Sequence, residues 1–403
     1  MGRLVGIVGK PNVGKSTFFT AVTMVSVSIA AYPFTTIKPN HGIGYVRTDC
    51  VCKEFGVKDD PVNSFCEDGV RLIPVELVDC AGLVPDAWQG RGLGNQFLDE
   101  IMTADMLIHV IDASGGTDLE GKICEAGTHD PMEDVTFLEH ELDMWLLRIL
   151  KRNWEKMARQ AKVSKDDLIE DLMERMSGLS ITRRSIEAAL SESRLDIGRI
   201  SCWSDADLVT LIHRIRLLSK PMMIAANKID LHEARDNLTR LSTTGYKVAA
   251  CSAEAELALR RSREKNFTDY VPGDSDFRIL NRESLTQEQS RALERIKKEI
   301  LEPFCSTGIQ EAINFAFLKL LGMVVVYPVE NAVSLTDHKG RVLPDAYLVT
   351  PGTTAKEFAS MVHSDLGRGF LYATEARSGK RVGEEYIVRD RDVLSITSAS
   401  RRG

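Results

Sequence analysis

No apolar run in these 403 residues approaches the length of a membrane span. The N-terminal MGRLVGIVG runs directly into a strand-like segment and lacks the layout of a secretory leader. Gly6 stands where a myristoylation signal needs Ser or Thr. Together these absences predict a cytoplasmic protein with no membrane partner. An excess of positive charge is missing too. Lys and Arg number 51 against 58 Asp and Glu, a formal net charge of −7, which excludes a whole-molecule attraction to polyanions. Any nucleic-acid contact must therefore rest on a local basic patch. Of eight cysteines only Cys50 and Cys52 are close neighbours, as C-x-C, with no second pair at zinc-finger spacing. The expectation is scattered reduced thiols and no metal site on them. Solenoid-period repeats and low-complexity tracts are absent. What is there is a globular composition, 43% hydrophobic and 27% charged, over a length that suits about two to three domains.

The first informative stretch is GKPNVGKST at 9–17, a match to G-x-x-x-x-G-K-[ST]. RLVGIV precedes it as an apolar strand, and TFFTAVTMV follows as a helix. Gly9 and Gly14 let the backbone curl so that the N–H groups of Asn12, Val13, Gly14, Lys15, Ser16 and Thr17 point at phosphate oxygens. The helix N-terminus adds partial positive charge. Lys15 is placed to reach the β- and γ-phosphates, and Ser16 to offer its hydroxyl to Mg²⁺.

Spacing narrows the ligand. RLIPVELVDCAG at 71–82 is a strand ending in D-x-x-G. Asp79 there is placed to hold Mg²⁺ through water, and the N–H of Gly82 to sense the γ-phosphate. KPMMIAANKID at 220–230 is a buried strand ending in N-K-x-D. The Asp230 carboxylate can accept from N1–H and the 2-amino group of guanine, a donor pair that adenine lacks. Asn227 steadies the loop and the N7 edge, and the Lys228 stem covers the base. YKVAACSAE at 246–254 ends in C-S-A, where the N–H of Ala253 can donate to guanine O6 and Ser252 supports the turn. Four motifs in this order predict a guanine nucleotide, GTP or GDP. A threonine between the first two motifs should close over Mg²⁺ and the γ-phosphate; residue chemistry does not choose between Thr35 and Thr36.

AYPFTTIKPNHGIGYV at 31–46 and AGLVPDAWQGRGLGNQFLDEI at 81–101 resemble the first and second switches of Obg-type GTPases. That resemblance assigns the Mg²⁺ role to Thr36 and implies catalytic roles for Lys15, Thr36 and Gly82. The C-terminal stretch VVVYPVENAVSLTDHKGRVLPDAYLVTPGTTAKEFASMV and onward resembles a TGS domain, a small β-grasp module. The residues agree: apolar strands surround one helix beginning near Thr353 or Thr354, with Ala355, Phe358, Ala359 and Val362 on one face. An Obg-like G domain with a C-terminal TGS domain is similar to the YchF-like archaeal and eukaryotic branch. YchF proteins carry an altered N-K-x-D and favour ATP. The intact NKID here sides with GTP and places the chain beside YchF.

The implied fold class is α/β: a P-loop GTPase with a doubly wound, mainly parallel sheet and a helical insertion, plus the β-grasp domain. Expected boundaries are a G domain over 1–263 with the insertion at about 116–203, a helical linker at 264–321, and the TGS domain at 322–403. The insertion follows from length: about a hundred residues separate the strand at 103–115 from the NKID strand, and 132–200 is helix-like without proline. SDADL at 204–208 signals the N-cap of the helix leading to Lys220. NRESLTQEQSRALERIKKEI predicts an exposed helix, GIQEAINFAFLKLLGM a buried one, and 264–283 a loop.

Leu83 directly follows D-x-x-G, where Ras-like proteins place a water-positioning glutamine; slow unaided hydrolysis is expected. Two readings of Asn12 stand. The resemblance implies an Asn that helps bind K⁺ beside the β/γ bridge, and the plain alternative is a local cap of the loop. RILKRNWEKMARQAKVSK at 148–165 carries Arg148, Lys151, Arg152, Lys156, Arg159 and Lys162, which recur mostly at three- or four-residue steps, near Trp154. A stripe for RNA phosphates and an ordinary solvated face both fit, the second slightly better. His109 and His363 are expected to be structural, Asp112 to cap a turn, Arg91 to be a switch residue without assigned role, and Cys80 and Cys251 to be small buried residues. The resemblance implies the ribosome or a structured RNA as partner, with a monomer as the expected state. A non-catalytic guanine-nucleotide sensor that binds a protein is the competing function.

Overall fold

The computed structural model describes residues 3–24, 40–90, 94–152, 154–158 and 164–399. It divides the chain into two compact units. One comprises residues 3–42 and 76–312; the other comprises 1–2, 43–75 and 313–403. The sequence boundaries at 263 and 321 follow motifs, whereas compactness groups 43–75 with the C-terminal stretch.

The nucleotide-type sheet has the order β2-β4-β1-β5-β6-β7, with β3 added antiparallel on β4. Its strands are β1 (Leu4–Val8), β2 (Asn40–Asp49), β3 (Phe65–Glu67), β4 (Val70–Asp79), β5 (Met106–Asp112), β6 (Met222–Asn227) and β7 (Val248–Ala250). The pairs β1–β4, β1–β5, β5–β6 and β6–β7 are parallel. Strands β5 and β6 are buried along their whole length, as a sheet covered on both faces requires. The functional motifs lie at or just past the carboxyl ends of β1, β4, β5, β6 and β7, the edge where such sheets bind ligands.

Helix α1 (Lys15–Thr23) follows the P-loop, α2 (Val51–Phe55) lies between β2 and β3, and α3 (Gly94–Thr103) precedes β5. The expected insertion is helical: α4 (Pro131–Lys151), α5 (Trp154–Ala158), α6 (Lys165–Arg175) and α7 (Arg183–Ser193). It packs with α8 (Asp205–Ser219) in one apolar cluster that includes Trp145, Leu146, Leu168 and Leu211. Ser204 caps α8 in a reciprocal capping box with Asp207, as the SDADL signal predicts. Lys220 then turns its ammonium onto the carbonyls of Met102 (2.7 Å) and Ala104 at the end of α3.

Helix α9 (Ala234–Leu241) and helix α10 (Ala253–Glu264) flank β7. Residues 264–283 contain a short ribbon, β8 (Thr268–Asp269) with β9 (Arg278–Ile279), where sequence predicts only loop. Helix α11 (Gln287–Ile296) is capped by Thr286 and runs through a wider turn at 297–301 into α12 (Glu302–Phe304); α13 (Ile309–Asn314) follows.

The other unit holds a five-stranded sheet, β11-β10-β14-β12-β13. Its strands are β10 (Val324–Val329), β11 (Tyr347–Val349), β12 (Phe370–Glu375), β13 (Arg381–Val382) and β14 (Asp392–Ser398). Helix α14 (Ala355–Val362) is capped by Thr354 with Glu357 at the reciprocal position, and α15 (Ser364–Arg368) follows. Strand residues alternate between faces. Val326, Leu394 and Ile396 meet Phe358 and Ala359 of α14, the expected β-grasp core. Val325, Tyr327, Val329 and Val393 face the other way and meet Cys50, Val51, Cys52 and Ile73. The second face of this sheet is thus covered by the connection between β2 and β4.

Candidate functional site

The P-loop closes on itself and on its neighbours. Gly9 (φ 145°) and Gly14 (φ 96°) occupy the left-handed half of backbone space. A Cβ on Gly9 would lie 2.4 Å from the Val110 carbonyl oxygen, and one on Gly14 would lie 2.3 Å from Asn227 Nδ2. Both positions therefore require glycine. The buried Lys15 ammonium donates to the Lys10 carbonyl at 2.7 Å. Burial lowers its pKa to about 8, against the pull of the Asp79 carboxylate. Ser16 and Thr17 occupy the first turn of α1, and Val13 is fully buried beneath the loop.

Ser16 and Asp79 come together: the Ser16 hydroxyl donates to Asp79 Oδ2 at 3.2 Å. Asp79 is buried, and its Oδ1 has no hydrogen-bond partner among the described residues. Burial raises its pKa, countered by the Lys15 ammonium. An orphaned carboxylate oxygen beside a hydroxyl fits a small hard cation with oxygen ligands such as Mg²⁺. Leu83 N–H donates to the Gly9 carbonyl at 3.1 Å, which lays D-x-x-G along the P-loop. A Cβ on Gly82 would meet Pro11 at 2.9 Å. The Leu83 side chain points into the core and is 1% exposed. Thr35, Thr36 and Arg91 lie outside the described residues.

The base-side motifs are stitched to the P-loop by Asn227. Its Nδ2 donates to the Val13 carbonyl at 2.9 Å, and its Oδ1 accepts the Ala253 N–H at 3.0 Å. Asp230 Oδ1 accepts the Ser252 hydroxyl at 2.8 Å, so NKID and C-S-A form one wall. One detail departs from the sequence reading. The Ala253 N–H assigned to guanine O6 is engaged by Asn227, so an O6 contact has to displace that bond or come from a neighbouring amide. Lys228 sits at φ 64° and pairs with Asp112 Oδ2 at 2.7 Å. Asp112 caps the following turn as expected, through the N–H and hydroxyl of Ser114 (3.1 and 2.6 Å). It also anchors Lys228, a role that sequence reasoning missed.

Sequence reasoning also missed a segment lying over the P-loop. Asn12 (φ 61°) donates from Nδ2 to the Gly121 carbonyl at 2.9 Å, a contact distant in sequence where a local cap is one expectation. Lys10, almost fully buried, donates to the Thr117 carbonyl (2.8 Å) and pairs with Asp134 (2.7 Å), which His129 also contacts at 2.7 Å. This anchors the P-loop to the start of α4. The one readable sign is Asp-Pro at 130–131, where Asp130 caps α4; nothing local marks Lys10 as its partner.

The basic stripe is not one helical face. Helix α4 ends at Lys151, and Arg152 turns to ψ 113° before α5 begins. Arg148 donates to the Trp88 carbonyl at 2.8 Å, and Lys151 pairs with Asp205 at 2.7 Å. Trp154 is buried and stacks on Trp203 with centroids 5.8 Å apart. The side chains of Lys156, Arg159 and Lys162 lie outside the described residues. Three of the residues behind the RNA reading, Arg148, Lys151 and Trp154, are thus already partnered.

His109 is 1% exposed, and burial followed by the Lys15 and Lys10 charges lowers its pKa to about 3: a neutral core histidine, as expected. Cys80 and Cys251 are fully enclosed, and burial raises both thiol pKa values. His363 caps α15 by accepting the Asp365 N–H at 3.2 Å.

Comparison with known proteins fits this geometry. Residues 4–141 match the family model of the 50S ribosome-binding GTPase. Residues 225–331 match that of the Obg-like GTPase YGR210-like, G4 motif-containing domain, and residues 338–398 that of the TGS domain. A GTP-binding protein of Methanocaldococcus jannaschii is 46% identical over 99% of this chain and 100% of its own length. The crystal structure of a GTP-binding protein from Pyrococcus horikoshii superposes with a TM-score of 0.75 at 37% identity, covering 99% of this chain and 100% of that one. The ribosome-binding ATPase YchF of Bacillus subtilis is 27% identical over 98% of each chain.

Proposed function

Because the chain belongs to the YGR210-like, TGS-bearing Obg-like GTPases, we propose that it is a switch that hydrolyses GTP to GDP and phosphate and acts on the ribosome. The observation that carries the guanine preference is the wall made by Asp230 and Ser252. A carboxylate held by one hydroxyl keeps acceptor capacity for N1–H and the 2-amino group of guanine. With adenine it faces no donor pair and is left desolvated.

Lys15 lies at the bottom of the loop, where the β- and γ-phosphates would replace the Lys10 carbonyl as its partner. Ser16 and Asp79, with Thr36, would hold Mg²⁺, which supplies neutralisation of phosphate charge. The N–H of Gly82, lying against Pro11, is placed to report the γ-phosphate. Hydrolysis is slow without help, because Leu83 is buried and offers nothing to orient water. K⁺ is the proposed helper. With its Nδ2 committed to Gly121, Asn12 can offer a cation its side-chain oxygen. Equal single-turnover rates in Na⁺ and K⁺ would remove K⁺ from this account.

Ribosome action is supported by the 50S ribosome-binding GTPase match and by the name of the Bacillus relative. The deciding experiment is co-sedimentation with ribosomes from the same source, comparing a non-hydrolysable GTP analogue with GDP. Binding in the analogue state only is expected; no binding in either state at low salt contradicts it. The buried Leu83 also favours a second reading, a nucleotide sensor that does not hydrolyse. Single-turnover assays on ribosomes separate the two, since the sensor leaves GTP intact.

A further inference from the structure

Cys50, Cys52, Asp59 and Cys66 converge in the unit formed by 43–75 and 313–403, each offering one ligand atom, and these atoms all lie within 4.8 Å of one another. C-x-C alone gives no metal expectation. The fold supplies the other half. Cys50 precedes α2, Cys52 is its second residue, Asp59 follows the turn at Gly56, and Cys66 is the middle residue of β3. We propose that these four side chains bind one zinc ion in a closed structural site, beyond the nucleotide switch and independent of it.

The distances suit a shared cation. Cys52 Sγ and Cys66 Sγ are 3.9 Å apart, and Cys50 Sγ lies 3.2 Å from Asp59 Oδ2. Tetrahedral zinc with Zn–S near 2.3 Å separates two sulfurs by about 3.8 Å, and a sulfur from a carboxylate oxygen by about 3.5 Å. A disulfide needs about 2.05 Å, far shorter than the sulfur separation here. Thiolate-rich tetrahedral sets select zinc over magnesium or calcium.

Burial points the same way. Cys50 is 1% and Cys52 5% exposed, Cys66 is half-buried, and the Asp59 side chain is 10% exposed. The Asp59 carboxylate is held by fully buried Arg71, whose Nη1 donates to Oδ2 at 2.8 Å. Arg71 is itself fixed by the Ser64 hydroxyl (2.9 Å) and the Leu343 carbonyl (2.9 Å). Such a partner orients a ligand without filling its coordination position. Tyr327 is fully buried, and its hydroxyl has no hydrogen-bond partner among the described residues. Cys50 packs in the same buried cluster as Tyr327. A thiolate bound to zinc would give it an acceptor. On binding, three thiol protons leave to solvent as three S–Zn bonds and one O–Zn bond form. Three thiolates, one carboxylate, Zn²⁺ and the guanidinium leave the site at −1. The ion would clamp α2, Asp59 and β3 beneath the sheet face formed by Val325, Tyr327 and Val393.

The test uses the full-length chain purified under reducing conditions without added metal. Elemental analysis should find about one zinc per chain, and C66S and C50S should lose it. Asp79→Asn, altered at the Mg²⁺ site, should retain it. Should the cysteine variants fail to fold, the unaltered chain still decides: Co²⁺ exchanged into it should give tetrahedral d–d bands with thiolate-to-cobalt charge transfer. Folded protein with reduced thiols that contains no zinc and gives no such spectrum overturns the proposal. So does a Cys52–Cys66 disulfide in protein purified without reductant and never exposed to chelator.

Discussion

Asn227 reaches from the end of β6 to the Val13 carbonyl at 2.9 Å, joining the N-K-x-D segment to the P-loop in one hydrogen bond. The same side chain accepts the Ala253 N–H at 3.0 Å. Three segments far apart in sequence are therefore held by one buried amide. Asn227→Ala leaves a buried donor and a buried acceptor unmatched, each costing about 1–3 kcal/mol. A fall in the urea midpoint and at least a tenfold weaker GTP affinity by calorimetry are expected. Asn227→Asp should be worse than Ala at the P-loop, because a carboxylate accepts from Ala253 but repels the Val13 carbonyl.

Asp230 is predicted to set the base. In Asp230→Asn the amide can still accept from N1–H, but it presents an N–H to the 2-amino group of guanine. Xanthine carries a carbonyl there and matches it. Affinity should drop by roughly tenfold or more for GTP and rise for the xanthine nucleotide, as one mismatched polar contact of about 1.4 kcal/mol implies. Competition binding with the two nucleotides measures the ratio; an unchanged ratio would place the base elsewhere.

Restoring the missing glutamine should not restore catalysis. Leu83 is 1% exposed and packed in the main cluster. Leu83→Gln buries an amide there at a cost of about 1–3 kcal/mol and brings it to no water. Single-turnover GTP hydrolysis should stay flat while the thermal midpoint falls. A rate increase would mean that the second switch rearranges when nucleotide binds.

Lys220 gives a pH signature. Burial lowers its pKa to about 8 from the usual 10.5. Between those values the unfolded chain holds the proton that the folded chain has released, so this residue's contribution to stability rises with pH across the window and is least favourable below it. The stability of the unaltered protein minus that of Lys220→Met should therefore climb from pH 8 to 10.5, by a few kcal/mol at most. Urea titrations of both proteins at several pH values check the slope; a flat difference would show that the carbonyls of Met102 and Ala104 hold the ammonium charged throughout.

The nucleotide motifs were legible because each is a short contiguous segment at a strand end, recognisable without knowing its neighbours. The caps at Ser204 and Thr354 were legible for the same reason, since an N-cap and its N3 partner lie three residues apart. The Arg148–Lys162 spacing does not make one helical face, because α4 stops at Lys151 and Arg152 leaves helical geometry. The partners of Arg148 and Trp154, Trp88 and Trp203, lie dozens of residues away. The Lys10–Asp134 pair spans 124 residues, so no periodicity could announce it.

By itself the sequence determined the α/β class, the family and the order of the motifs, and it proposed the residues to meet the nucleotide, because local hydrogen-bonding chemistry dictates those residue types. Tertiary structure decided what cannot be local. It fixed which amide takes Asn227, what Asn12 holds, and that 43–75 covers a face of the C-terminal sheet. It also gathered Cys50, Cys52, Asp59 and Cys66 into one cluster. The reason is the pairing of β3 with β4, which reverses the chain and sets Cys66 opposite Arg71, the residue that holds Asp59.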